Sequence, residues 1–244
     1  MDASRTLAAV AGHPRRPSAY TVLVASNDEE VRAAQRLRHR VFAQELGAKL
    51  HSAVPGLDVD EFDEYGEHLV VREDATGAIV GTYRLLPPGR GPGRLYSETE
   101  FDLSALEPLR DLLVEAGRSC VHPDHRGGAV INPWLAGCAS VPVADGGLAA
   151  RCVWDVARTR HLSPPRLRVR PQRPYPLGPM PTVDKVTAPH RAGPPLLRGY
   201  LRLGAWICGE PAHDTDFDVA DFFVLLSVDR VNPRYLEHFL GAGS

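Results

Sequence analysis

The sequence is poor in cysteine, in lysine and in long apolar runs, and each shortage removes a class of function. Its four cysteines, Cys120, Cys138, Cys152 and Cys208, are widely spaced and never form C-x-x-C. A disulfide framework or a structural zinc site is therefore not expected, and reduced thiols in a cytoplasmic protein are. No run of about 18 apolar residues is present, which excludes a transmembrane helix. Basic excess is missing too: 28 Lys and Arg face 30 Asp and Glu, a net charge of −2, with only Lys49 and Lys185 as lysines. A dedicated nucleic-acid binder would carry a basic stripe. The first apolar stretch, Leu7 to Ala11, has no cleavage region after it. Residues 1–19 thus read as a disordered tail rather than a signal peptide. What is present, 43% hydrophobic and 24% charged residues over 244 positions, fits one soluble domain over residues 20–244. A chain of that size buries about 70% of the surface it exposes unfolded.

The opening reads strand, helix, strand, strand. Tyr20 to Ala25 is β-branched and apolar. Asn27 offers an N-cap, and Asp28, Glu29 and Glu30 sit where a helix dipole favours acids. Val31, Ala34, Leu37, Val41, Phe42 and Leu46 then recur at helical spacing up to Gly47. His68–Arg72 and Ile79–Leu86 form a hairpin across Ala75-Thr76-Gly77. Leu112 to Val121 reads as a central strand and Trp134 to Val141 as the next. Leu148–His161 is helical, Ser163–Pro181 extended, Leu196–Cys208 an amphipathic helix, and Ala220–Val228 a buried strand. Asn232 caps a last helix through Phe239. The fold class is α/β or α+β, a central mixed sheet flanked by helices.

Five local patterns carry polar residues where an ordinary core would not need them. They are Arg38-x-x-x-Phe42 with Glu45, the acidic run Asp58, Asp60, Glu61, Asp63 and Glu64, the strand end Gly81 to Pro87 with Arg84, the pair Glu115-x-x-Arg118, and the loop Arg126-Gly127-Gly128-Ala129. Each has an ordinary reading as a paired arginine, a solvated loop or a turn. Ser119, His122 and Asp124 lack the G-x-S-x-G turn of a hydrolase, and Cys120 lacks a positioned base. The spacing of His122, Asp124 and His125 suits a loop rather than a metal cage.

Taken together, RHRVFAQELG, DEFDEYGEHLVV, VGTYRLLP, YSETEFDLS and VEAGRSCVHPDHRGGAVIN resemble the ornithine-lipid N-acyltransferases, a branch of the GNAT superfamily. PPLLRGYLRLGAWICGEP and ADFFVLLSVDRVNPRYLEHFL are similar to their C-terminal part. Acyl-homoserine-lactone synthases share several of these elements. The resemblance implies a GNAT-like fold and transfer of a (3-hydroxy)acyl group to the α-amino group of L-ornithine. The donor would be an acyl carrier protein phosphopantetheine thioester, or acyl-CoA, with no permanently bound cofactor and no metal. It also implies Glu115 as the base that frees the amine, although Glu115 could equally pair with Arg118 or Arg84 in a buried network. An oxyanion donor would be the backbone N–H near Cys120 or Val121. Arg38, Phe42, Asp63, Arg84 and Arg118 would form the acceptor wall, with Asp63 meeting the ornithine side-chain ammonium. Arg126, Gly127, Gly128 and Ala129 would cradle the donor phosphate. A cytoplasmic location with peripheral contact at the inner membrane surface is a further implication. The residues of 196–208, with Arg198 and Arg202 among leucines, offer a face for anionic lipid, but that apolar face reads more readily as core.

The chain departs from that pattern at one place. Only twelve residues, His122 to Pro133, join two strands that a crossover helix should separate, and seven of them belong to the loop. A parallel crossover with its helix needs at least about 10–12 residues. Relative to the family, a segment is missing at Asn132–Pro133, which predicts weakened donor binding and lower stability. Two other readings remain: a signal synthase of the homoserine-lactone type, and an impaired carrier- or lipid-binding relic.

Overall fold

The computed structural model describes residues 19–126, 137–143, 147–178 and 193–227. The expected tail, Gly127 to Ala129, the Asn132–Pro133 junction and the helix predicted from Asn232 lie outside them. Strand β1 (Tyr20–Val24) and helix α1 (Asp28–His39) fall where the sequence places them. The Asn27 side chain accepts from the Glu30 N–H at 3.0 Å, satisfying one of the donors that a helix start leaves without partners. After His39 the helix widens into a π-helical turn, Arg40–Glu45, and the chain leaves through Gly47 at φ +73°.

Strands β2 (Glu67–Glu73) and β3 (Ile79–Leu86) form the expected hairpin. After the short β4 (Phe101–Asp102) comes β5 (Glu115–Val121), which begins three residues later than the sequence suggests. Leu112 ends a 3-10 segment, Ser104–Leu112, and is 77% exposed. The first sheet runs β1-β2-β3-β5, all antiparallel, so among the described residues β5 is its last strand rather than a central one. α1 lies against β3 and β5, burying Ala34, Leu37 and Arg38.

A second sheet holds β6 (Gly137–Pro142), β8 (Trp206–Ile207), β9 (Ala212–Asp214) and β10 (Val219–Leu225), with β10 paired antiparallel to the other three. Helix α2 (Leu148–Val156), its π-helical extension Ala157–His161 and helix α3 (Pro195–Arg202) cover it. The predicted helix over 196–208 stops at Arg202, because Gly204 turns the chain and Trp206–Ile207 pairs with β10. The apolar face of α3 is core: Leu197 is 1% and Tyr200 7% exposed. Within 163–178, expected to be extended, a 3-10 turn at Pro165–Leu167 precedes the short β7 (Arg170–Pro171), which pairs with β4.

The two sheets touch where β5 and β6 begin. A Cβ added at Gly137 would lie 2.1 Å from the Ala116 carbonyl oxygen, so only glycine permits this approach. No ladder joins β5 to β6 among the described residues.

Candidate active site

The site is built on α1, β3, β5 and the acidic loop between α1 and β2. Gln35 and Arg38 share one face of α1 because they stand three residues apart, and Phe42 follows in the π-helical turn. Arg38 is wholly buried. Its Nη1 and Nη2 donate to the two oxygens of Asp63 at 3.0 and 2.5 Å, and its Nε lies 3.0 Å from Asp58 Oδ2 as an ion pair. Arg84, from β3, donates to Asp63 at 2.8 Å and also to Asp60. Arg118, from β5, donates from Nε and Nη2 to Asp60 at 3.2 and 3.0 Å.

Three guanidiniums thus meet three carboxylates, and the acidic run divides. Asp58, Asp60 and Asp63 point inward, whereas Glu61 and Glu64 stay exposed. A buried charge is tolerated only when paired in this way. Burial works to raise the Asp63 pKa, but the Arg38 and Arg84 guanidiniums overcome it and hold the carboxyl well below the usual carboxylate range. Burial and the same two guanidiniums lower the pKa of His68, which packs behind Asp63. Gly66 makes room for the stem of Arg84: a Cβ there would stand 2.8 Å from Cγ and 2.9 Å from Cδ.

Asp63, the residue expected to meet a substrate ammonium, is surrounded by Arg38, Arg84 and Gln35, the last at 3.3 Å. Arg118 is the network arginine nearest to solvent, its side chain 13% exposed against 0% for Arg38 and 4% for Arg84. Among the described residues its Nη1 makes no hydrogen bond. A β-bulge places it: Thr82 pairs with Cys120 and Arg84 with Gly117, so Arg118 and Ser119 face Tyr83 alone, and Arg118 takes φ +53°.

Glu115 is 6% exposed and pairs with neither Arg118 nor Arg84. One oxygen accepts from the Tyr96 N–H at 2.7 Å, the other from the Ser97 N–H and Oγ at 2.8 and 2.5 Å. The 3-10 turn Tyr96–Thr99 therefore clamps this carboxylate, a contact that the sequence pattern YSETEFDLS contains without revealing. At the other end of β5, His122 donates to Val80 O at 2.8 Å. Antiparallel alternation then turns the N–H and C=O of Val121 away from β3. The Val121 carbonyl accepts from Arg126 Nε at 3.1 Å, and Arg126 grips Glu45 through both terminal nitrogens at 2.5 and 2.8 Å. Phe42 is 8% exposed and meets Phe217 edge to face at 5.4 Å.

Burial pushes the Cys120 thiol up to about 12, which leaves it a poor nucleophile. Glu100, Cys138 and Asp221 converge in the core, their ligand-type atoms within 4.8 Å of one another. Burial and the neighbouring Asp221 push the Glu100 carboxyl pKa up, so this pair holds a proton. Glu100, in the turn before β4, and Asp221, in β10, carry no sequence signal of their own.

The GNAT acetyltransferase domain profile matches residues 37–135. An L-ornithine N(alpha)-acyltransferase of Rhodobacter capsulatus is 34% identical, the alignment covering 91% of this chain and 95% of that protein. One of Brucella abortus is 33% identical, covering 92% of this chain and 90% of that protein. The first alignment runs over 251 positions, more than the whole chain. That relative therefore has residues with no counterpart here. Among solved structures, TofI in a ternary complex with an inhibitor and MTA aligns with a TM-score of 0.40 and 17% identity, over 91% of this chain and 96% of that one.

Proposed function

The chain belongs to the L-ornithine N(alpha)-acyltransferase family, and from that premise we propose that it moves a (3-hydroxy)acyl group onto the α-amino group of L-ornithine. The donor in this reading is an acyl carrier protein thioester, with acyl-CoA the alternative, and the product is a lyso-ornithine lipid. The supporting observation is that 34% identity to the Rhodobacter capsulatus enzyme extends over 91% of the chain. The chain is an acyltransferase, and among the described residues no helix is long and apolar enough to cross a membrane.

In the proposed mechanism the acceptor carboxylate meets Arg118, the most exposed of the three network arginines, whose Nη1 makes no hydrogen bond among the described residues. Glu115 takes the proton from the α-ammonium. The free amine attacks the thioester carbonyl, forming the C–N bond and a tetrahedral oxyanion that the outward Val121 N–H receives. Collapse breaks the C–S bond, and the departing thiolate takes the second nitrogen proton and leaves as a thiol. Arg126, beside Val121, takes the phosphate of the donor arm. Arg38, Arg84 and Asp63 serve as the rigid wall behind this site, an assignment that fits Asp63's enclosure better than direct contact with ornithine does.

The test is thiol release from 3-hydroxyacyl carrier protein, with and without L-ornithine, with Glu115→Gln measured alongside. Ornithine-dependent release that the variant loses by about 100-fold or more, the usual scale for a general base, supports the reading. Release supported by S-adenosylmethionine instead of ornithine would move the chain to signal synthesis. Donor binding without turnover would make it a relic.

A further inference from the structure

We propose that Phe217, at the tip of the β9–β10 hairpin, is a positioning residue that fixes the Arg118 guanidinium for the acceptor carboxylate. The inference rests on the role assigned to Arg118 above and adds a residue from the other sheet to that site.

Arg118 has two aromatic rings within reach. Its guanidinium carbon is 4.9 Å from the Tyr96 ring centre and 5.6 Å from that of Phe217. Both distances are within cation–π range. Asp60 engages one edge of the guanidinium, through Nε and Nη2. With one edge held by Asp60 and the rings of Tyr96 and Phe217 beside it, the edge bearing Nη1 is the one left for a ligand. Tyr96 belongs to the turn that clamps Glu115, so the same short segment holds both groups.

Phe217 is itself anchored from several directions. Asp214 Oδ1 accepts from the Asp216 and Phe217 N–H groups at 2.8 and 3.0 Å, and Asp218 turns the chain at φ +50°. Lys49, just after the π-helical turn, donates its N–H to the Asp216 carbonyl at 2.9 Å, and His51 Nε2 lies 3.0 Å from an Asp216 oxygen. The ring then packs edge to face on Phe42. The sequence Asp214-Thr215-Asp216-Phe217-Asp218 thereby carries an aromatic ring from the second sheet onto the edge of the first.

Phe217→Leu keeps apolar bulk and removes the ring, while Phe217→Tyr keeps the ring. The leucine variant is expected to raise KM for L-ornithine by roughly 3- to 10-fold, the size of a lost cation–π contact. KM for the acyl donor and kcat should change by less than about 2-fold, and the tyrosine variant should restore the ornithine KM. Unchanged ornithine KM in Phe217→Leu, or equal loss for both substrates in both variants, would overturn the proposal. The Arg118 Nε–H resonance in a nitrogen-15 spectrum gives a readout without turnover: sharp in the wild type and Phe217→Tyr, broadened in Phe217→Leu. If the wild type releases no thiol with ornithine, the functional reading fails by itself. A resonance that stays sharp in Phe217→Leu then refutes the positioning role separately.

Discussion

Replacing Asp63 by Asn changes the shape of the buried network very little and its charge by one unit. The carboxylate receives two hydrogen bonds from Arg38 and one each from Arg84, Gln35 and the Asp60 N–H. An amide offers one oxygen in its place and turns an NH2 group toward a guanidinium, donor against donor. Three buried or nearly buried arginines would then face two aspartates. Removing one partner of a buried ion pair costs about 3–5 kcal/mol, most of it the penalty of the charge left behind. For a chain of 150–250 residues each kcal/mol moves Tm by about 2–4 °C, so Asp63→Asn should melt about 6–20 °C lower at pH 7. Calorimetry or a thermal melt by circular dichroism measures this directly. The deficit should shrink in acid. Asp63's folded pKa lies below its unfolded value of about 3.9, so its contribution is present above that pH and lost as pH falls below it. A neutral-pH shift below about 2 °C, the scale of an exposed ion pair, would refute the claim that charge pairing holds this core together.

Glu45→Gln serves as the contrast: its partner Arg126 is 45% exposed, so Tm should fall by no more than about 4 °C, from a pair worth at most about 1 kcal/mol. Gly66→Ala should cost about 1–3 kcal/mol by pushing the Arg84 stem off Asp60 and Asp63, read from the urea midpoint. Rising pH should destabilise the protein through Glu100. Its folded pKa is raised by burial and by Asp221, so its contribution is full below the unfolded value of about 4.3 and is lost as pH climbs toward the folded one. Glu100→Gln should therefore lose less stability than the wild type between pH 6 and 10, and parallel urea-midpoint profiles would contradict this.

The first half of the fold was legible because its signals are local. The Asn27 cap, the acidic first turn and the hairpin across Ala75-Thr76-Gly77 each depend on residues within a few positions of one another. The candidate residues were legible as patterns, but not their partners. The strands show that β5 carries Glu115 and Arg118, yet nothing near either names the Tyr96–Ser97 clamp on one or the Asp60 contact of the other. Pairing across 18 or 58 residues is decided by tertiary packing. The inward turn of Asp58, Asp60 and Asp63 follows from the positions of Arg38, Arg84 and Arg118, so the run alone looks like any solvated loop. The 196–208 segment shows the opposite failure. Its amphipathic spacing continues past Arg202, but Gly204 and the demand of β10 for an edge partner convert the remainder to strand.

The balance of three arginines against three aspartates also restricts how this protein can change over generations. A lineage that loses any one of the six passes through a form with a stranded interior charge, and the deficit worked out for Asp63 is large beside a total stability of about 5–15 kcal/mol. Single steps away are therefore closed, and escape requires two compensating exchanges at once or a stabilising change elsewhere first. Relatives should vary at these six positions together or hardly at all, while Glu61 and Glu64, interleaved with them and exposed, drift freely. An engineer who wants a different acceptor would leave the six untouched and work on the hairpin tip, where Thr215 and Asp218 carry no buried charge.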